Sequence, residues 1–388
     1  MDFYLNEEQL AFQEAARDFA LGELAPQAQE WDEKKIFPRE TLAAAGALGF
    51  CGMYSPEDCG GLGLSRLDSA IILEELAAGC TSTAAYISIH NMATWMLCTW
   101  GSEAIKNDWA EALTSGQKLS SYCLTEAGAG SDAGNLRTSA RRESDCYVLN
   151  GSKMFISGAG ATELLVVMAR TGSVDDGAKG ISAFAVPADT AGIHYGKNET
   201  KMGWNSQPTR AITFEDVRIP THCLFGEEGE GFKIAMKGLD GGRINIAACS
   251  LGAAQATVDH AQQYMQERQQ FGKPLAAFQA LQFKLADMVT ELVAARQMVR
   301  LAAFKLDNND PEKTTYCAMA KRFATDVGFK VCDEAMQLHG GYGYIREYPI
   351  ERFFRDARVH QILEGTNEIM RVITARRLLL EDGARSIR

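Results

Sequence analysis

The spacing of apolar residues changes twice along this 388-residue chain, and that double change limits what it can fold into. Up to about Ser120 the spacing is helical. Leu10, Ala16, Phe19 and Leu24 recur before Pro26, residues 41–48 read as a further helix stopped by Gly49, and the period resumes at Leu67 after the turn-rich loop 55–63. Asn6 is placed to cap the first helix, with Glu7 and Glu8 where the helix dipole favours negative charge. From about Tyr122 short apolar runs punctuated by Gly, Asp and Pro take over. Residues 164–169, 181–186 and 211–214 read as strands, and 147–149 and 154–156 flank Asn150-Gly151, which predicts a hairpin because both residues tolerate the positive φ of a type I′ turn. From about Phe232 the helical period returns. Leu251, Ala254, Val258, Ala261 and Met265 share one helix face, and Leu281, Leu285, Met288, Leu292, Ala295 and Val299 another, so two long helices lie side by side in an antiparallel bundle. The order is helices, a β module of about a hundred residues, then a bundle, in a chain too long for one ordinary core.

Composition removes several classes of function. A formal charge of −11 argues against a nucleic-acid partner, which needs a basic face to neutralise phosphates. The ten cysteines contain no Cys-x-x-Cys pair and sit among apolar neighbours, which reads as buried thiols rather than a disulfide framework or zinc site. The six histidines are dispersed, with no spacing that places two ligands on one helix face, so no metal centre is expected. Residues 76–102 carry no Asp, Glu, Lys or Arg, long enough to span a bilayer, yet they hold too many Ser, Thr, His and Asn residues for lipid. A helix buried on all sides by other helices is expected there. The start, Met1-Asp2-Phe3-Tyr4, shows neither a secretory signal nor a transit peptide, which suggests a bacterial-type cytoplasmic protein, or a mitochondrial matrix protein if the chain is a processed form.

Glycines cluster at 128–130, 241–242 and 340–341. None has the spacing or the strand-to-helix context of a dinucleotide fingerprint or a P-loop. Each cluster is open to two readings, close helix packing or close approach of a backbone to a ligand.

Five stretches, in order, resemble the acyl-CoA dehydrogenase family: Tyr122-Cys123-Leu124-Thr125-Glu126 with Gly130-Ser131-Asp132; Asn150-Gly151-Ser152-Lys153-Met154-Phe155-Ile156-Ser157; Arg268-Gln269-Gln270-Phe271-Gly272-Lys273-Pro274-Leu275; Gln337-Leu338-His339-Gly340-Gly341; and Gln361-Ile362-Leu363-Glu364-Gly365-Thr366-Asn367-Glu368. The resemblance implies an α+β architecture with an N-terminal helical domain (1–120), a middle β-barrel-like domain (121–232) and a C-terminal four-helix bundle (233–388). It also implies FAD, a homotetramer, an acyl-CoA substrate and an electron-transfer flavoprotein as acceptor. Tyr122, Cys123, Leu124, Thr125, Ser131, Phe155, Ile156 and Ser157 would meet the flavin end. Arg268, Phe278, Gln279, Gln337, Leu338, His339, Gly340 and Gly341 would meet the pyrophosphate and adenosine across a subunit boundary, and Thr366, Asn367 and Glu368 would complete the cofactor contacts.

In the same resemblance Glu364 is the base that removes the acyl α-proton, and its backbone N–H helps hold the thioester carbonyl. Gly365 breaks the helix there, Thr366 or Gly365 caps the next one, and Ile369, Val372 and Ile373 begin that helix's buried face. A glutamate in an apolar cleft has a raised pKa, which suits it to the task near neutral pH. Some branches carry the base near the position of Gly242, where this chain has no carboxylate. Ser131, Asp240, Gly241, Gly242, Arg243 and Arg376 would line the substrate, Arg243 and Ser131 toward the CoA portion and Asp240 toward the pantetheine. Residues 80–91, 203–210 and 241–247 look most like the branch that oxidises isobutyryl-CoA to methacrylyl-CoA in valine breakdown. The alternatives are 2-methylbutyryl-CoA, butyryl-CoA and, sharing the fold, an oxidase. A nitroalkane oxidase would carry Asp at position 364, and a non-catalytic acyl-CoA-binding scaffold would not reduce its flavin.

Overall fold

Asn6 does cap the first helix, and reciprocally: its side chain accepts from the Gln9 backbone while the Gln9 side chain accepts from its own. The computed structural model describes residues 4–380 and 383–387, so Met1, Asp2 and Phe3 of the N-terminal reading lie outside the described residues. Six α-helices form the first section: α1 (Glu7–Phe19), α2 (Ala25–Lys34), α3 (Arg39–Ala47), α4 (Arg66–Gly79), α5 (Thr81–Trp100) and α6 (Glu103–Thr114). The charge-free stretch is therefore two helices, not one, broken where Cys80 turns extended at φ −150°. Its polar residues are spent on neighbouring segments. The buried Asn91 accepts from Met53 N–H (2.9 Å) and donates to the Phe50 carbonyl (2.7 Å), while His90 lies between the Leu113 carbonyl and Ser120. Among the described residues no helix is long and apolar enough to cross a membrane.

The middle section has strands β1 (Ser120–Cys123), β2 (Ser139–Glu143), β3 (Cys146–Ser157), β4 (Leu164–Arg170), β5 (Ile181–Pro187), β6 (Ile193–Tyr195), β7 (Thr209–Pro220) and β8 (Leu224–Phe225). They form one sheet in the order β6-β7-β3-β2-β4-β5-β8, with β1 parallel to β4. Asn150-Gly151 is not a hairpin turn. Cys146–Ser157 is a single strand, and its hairpin to β2 turns at Ser144-Asp145. Asn150-Gly151 instead marks a register shift against β7, pinned by Asn150 bonding Asp216 through both side-chain atoms at 3.0 Å. Gly151 has φ +142°, and a Cβ there would lie 2.7 Å from Thr138 Cα, which is backbone and cannot swing aside. Gly151→Ala is expected to cost about 1–3 kcal/mol of stability, read as a lower urea midpoint at unchanged slope.

The third section comprises α7 (Gly231–Glu267), α8 (Gln279–Asp307), α9 (Lys313–His339), α10 (Ile350–Arg358) and α11 (Asn367–Leu378). The apolar faces foreseen on α7 and α8 do meet. Leu251, Ala254, Val258, Ala261 and Met265 join Met288, Leu292, Ala295 and Val299 in one core that continues into α4 and α9. On α11 the buried residues are Asn367 and Met370, Ile369 and Ile373 are half-buried, and Val372 is exposed, so the expected buried face forms only in part.

Candidate active site

The loop after β1 is fastened from below by one buried lysine. Lys153, its side chain fully buried on β3, donates to the Leu124 carbonyl (3.0 Å) and to Glu126 (2.8 Å). Glu126 in turn accepts from the backbone of Arg137 (2.7 Å) and Thr138 (2.9 Å), and Met154 N–H bonds the Thr125 carbonyl (2.8 Å). These bonds bring Leu124, Thr125, Phe155, Ile156 and Ser157 side by side. Phe155 stands at φ +59° and is 62% exposed, a conformation a bulky residue keeps only when its surroundings impose it. Cys123 and Ile156 turn into the sheet core, so only their backbone can meet a ligand, and burial pushes the Cys123 thiol up to about 12. Ser131 is exposed on the loop.

Glu364 sits in the turn between α10 and α11 with φ +55°, followed by Gly365 at +89°. Thr366 caps α11 by accepting from Ile369 N–H. The turn is held from α9: Lys321 donates to the Gly365 carbonyl (2.8 Å) and to Asn367 Oδ1 (2.9 Å), while the Asn367 amide donates to Thr325 (2.9 Å) and Asp326 (2.8 Å). The Asn367 side chain is therefore fully engaged within the protein. Across the turn lies α7, where a Cβ on Gly242 would come within 2.6 Å of Glu364 Oε2 and 2.9 Å of Met92 Sδ. Around the 241–242 pair the tight space is taken by protein side chains, Arg66 at Gly241 and Met92 with the Glu364 carboxylate at Gly242, which is the close-packing reading. Glu364 as a residue is half-buried, but Oε2 is sealed and has no hydrogen-bond partner among the described residues. Burial pushes its pKa up to about 7, against the opposing pull of Arg243 and Lys321.

Other sealed polar atoms without partners among the described residues include Tyr122 Oη on β1 and Arg66 Nη1 on α4. Arg66 lies over the rings of Tyr54 (3.4 Å) and Trp95 (4.6 Å) and fills the space beside Gly241. Buried polar groups are normally paired, so each such atom is one that a polar ligand could satisfy. Asp240 and Arg243 are buried and paired with each other (2.7 Å), with Thr314 also donating to Asp240 (2.6 Å) and Arg243 Nε reaching the Glu364 carbonyl (3.4 Å). Glu368 and Arg376 stand exposed on α11.

Arg268, Gln337, Leu338, His339, Gly340 and Gly341 come together elsewhere, around an open pocket of about 530 Å³. Tyr264 stacks on His339 (4.5 Å) and Arg268 lies over Tyr342 (5.3 Å). Phe278 and Gln279 stand at the start of α8, with Phe278 edge-on to Phe271. Gly242 and Arg268 are 26 residues apart along α7 and its C-cap, roughly 39 Å at 1.5 Å per residue. One chain thus carries the two groups far apart along a long helix.

Sequence reasoning missed Arg66, Lys321, Tyr264 and Tyr342. Lys321 left one legible sign, a lysine on the buried face of α9 marked by Cys317, Ala324 and Gly328. Tyr264 lies four residues before Arg268, on the same helix face. Arg66 left none.

The chain matches the acyl-CoA dehydrogenase N-terminal domain over residues 6–117, the middle domain over 121–217 and the C-terminal domain over 229–379. It is 53% identical to the mitochondrial isobutyryl-CoA dehydrogenase of Bos taurus, over 97% of this chain and 90% of that protein. It is 52% identical to the corresponding Dictyostelium discoideum protein, over 97% and 91%. The solved butyryl-CoA dehydrogenase of Megasphaera elsdenii superposes with a TM-score of 0.94 at 42% identity, covering 98% of this chain and 100% of that one. With its helix–sheet–helix order and a sealed carboxylate in the turn before α11, the chain belongs to the acyl-CoA dehydrogenase family of flavin-dependent oxidoreductases.

Proposed function

We propose that the protein is an FAD-dependent dehydrogenase of short branched acyl-CoA thioesters, with isobutyryl-CoA as substrate, methacrylyl-CoA as product and an electron-transfer flavoprotein as electron acceptor. The observation that carries this reading is the Glu364 carboxylate: sealed, unpartnered at Oε2, and raised to about 7. The relatives named isobutyryl-CoA dehydrogenase support the choice of acyl group.

The residues fit a flavin. Exposed Phe155 at positive φ offers a flat aromatic face, Thr125 and Ser157 offer hydroxyls beside it, and Tyr122 Oη lacks a partner. Bound against them, the flavin would supply the acceptor for the hydride that leaves the acyl β-carbon. Glu364 would take the α-proton, and its backbone N–H would help hold the thioester oxygen as charge develops. Arg243 and Lys321 favour the ionised carboxylate without bonding to Oε2, so the base stays available. Arg268, with residues 337–341 gathered beside it, lies roughly 39 Å along α7 from Gly242, a separation that supports a homotetramer in which they hold the adenosine end of a partner's FAD. Both mitochondrial and bacterial relatives exist, and we place this chain in a bacterial-type cytoplasm, or in the matrix as a processed form.

The test is an oxygen-free titration of the yellow protein with isobutyryl-CoA, 2-methylbutyryl-CoA and butyryl-CoA. Isobutyryl-CoA is expected to bleach the flavin most efficiently. Preference for another chain would replace the substrate, and rapid peroxide formation in air would make the enzyme an oxidase. Because the base must be ionised to accept a proton, the bleaching rate should rise with pH through about 7 and level off above it. A rate flat from pH 6 to 8 would remove Glu364 from that role.

A further inference from the structure

Helices α5 and α7 run antiparallel beside the Glu364 turn, and their contacts form a ladder. Met96 packs on Gly238, Met92 on Gly242, and Ser88 faces Asn245. At the Gly242 rung the helices are spaced by a glycine, and the carboxylate occupies the gap. One turn deeper, about 5.4 Å along the axes, the gap is closed. Fully buried Asn245 donates from Nδ2 to Tyr54 Oη (3.0 Å) and to the Ser88 carbonyl (3.5 Å). Its Oδ1 is sealed and has no partner among the described residues. On the neighbouring side, Ala85, Trp204 and Ile246 form an apolar cluster against which Ile89, Val359 and Leu363 pack, and Leu363 is the residue before the base.

We propose that Asn245 is a specificity-determining residue that ends the acyl pocket and restricts the enzyme to acyl chains of about four carbons. The proposal rests on the acyl-CoA reading of the Glu364 site. An acyl group whose α-carbon lies at Glu364 meets the apolar cluster with its first carbons, and the cross-link between α5 and α7 bars the way beyond. A longer chain would have to displace the Asn245–Tyr54 bond and bury Oδ1 against methylenes, leaving a polar atom no water can reach. A short branched chain fills the width above the floor without touching it.

The experiment compares kcat/KM for isobutyryl-CoA, butyryl-CoA, hexanoyl-CoA and octanoyl-CoA in the FAD-loaded wild type, Asn245→Ala and Asn245→Ser. The hexanoyl-to-isobutyryl ratio is expected to rise at least tenfold in Asn245→Ala and by less in Asn245→Ser. An unchanged ratio in variants still bleached by isobutyryl-CoA overturns the proposal. Should Asn245→Ala fail to fold, the serine variant and the wild-type profile decide, since a wild type that handles hexanoyl-CoA as well as isobutyryl-CoA overturns it too. A wild type bleached by no acyl-CoA would instead defeat the reading on which the proposal rests.

Discussion

Glu364→Gln is expected to keep its FAD and bind acyl-CoA while losing flavin reduction by on the order of 10²–10⁴-fold, the usual contribution of a positioned general base. The change is nearly isosteric, so the amide can occupy the space that Gly242 leaves open without a Cβ contact at 2.6 Å. The turn itself is held by Lys321, Thr366 and Asn367, none of which bonds the Glu364 side chain, so its geometry should survive. What is lost is an oxygen able to take a proton: the sealed Oε2 has no other task in the protein. Binding and chemistry separate in one experiment, because substrate perturbs the flavin spectrum on binding and bleaches it on reaction. A variant that still bleaches within tenfold of the wild-type rate would place the base on another residue.

The broad architecture was legible because burial imposes its period on the sequence: 3.6 residues where helices pack, about two where a sheet does. Asn150-Gly151 was misread for a physical reason. The same dipeptide serves a tight turn or a strand irregularity, and the choice is made by Asp216 on β7, more than sixty residues away. The break at Cys80 was hidden by an unbroken run of uncharged residues on both sides. In the site, Glu364 stood out only through its motif, since a lone glutamate near a helix end is usually solvated. Arg66 and Asn245 carry no local signal at all. Their importance arises where α4, α5 and α7 meet, which no window of sequence contains.

Lys321→Met should lower the bleaching rate about 100-fold and move the rising limb of its pH profile to higher pH. Lys321 is fully buried, and burial pushes its pKa down to about 7 although Glu364 pulls it the other way. Its ammonium does two jobs. It ties the Gly365 carbonyl and Asn367 to α9, which fixes the turn that holds Glu364 at positive φ, and it favours the ionised form of that carboxylate. Methionine fills a similar volume but removes the donor from the part-buried Gly365 carbonyl and leaves Asn367 Oδ1 with only the longer Thr325 Oγ1 bond (3.3 Å), and a buried acceptor left unpaired costs about 1–3 kcal/mol. Relief from burying an ammonium offsets part of that cost, so a folded, less heat-stable protein is expected rather than none. The rate falls because a displacement of about 1 Å between base and α-carbon can cost on the order of 10²-fold. The pH profile separates this account from mere loss of stability. With the ammonium gone, Arg243 alone favours the anion, while Tyr54 and Tyr122, the phenols near the carboxylate, are raised by burial and stay protonated. The Glu364 pKa must then rise further, and the limb follows it. A variant that melts lower but keeps the wild-type rate per flavin and the wild-type midpoint would reduce Lys321 to a structural tie.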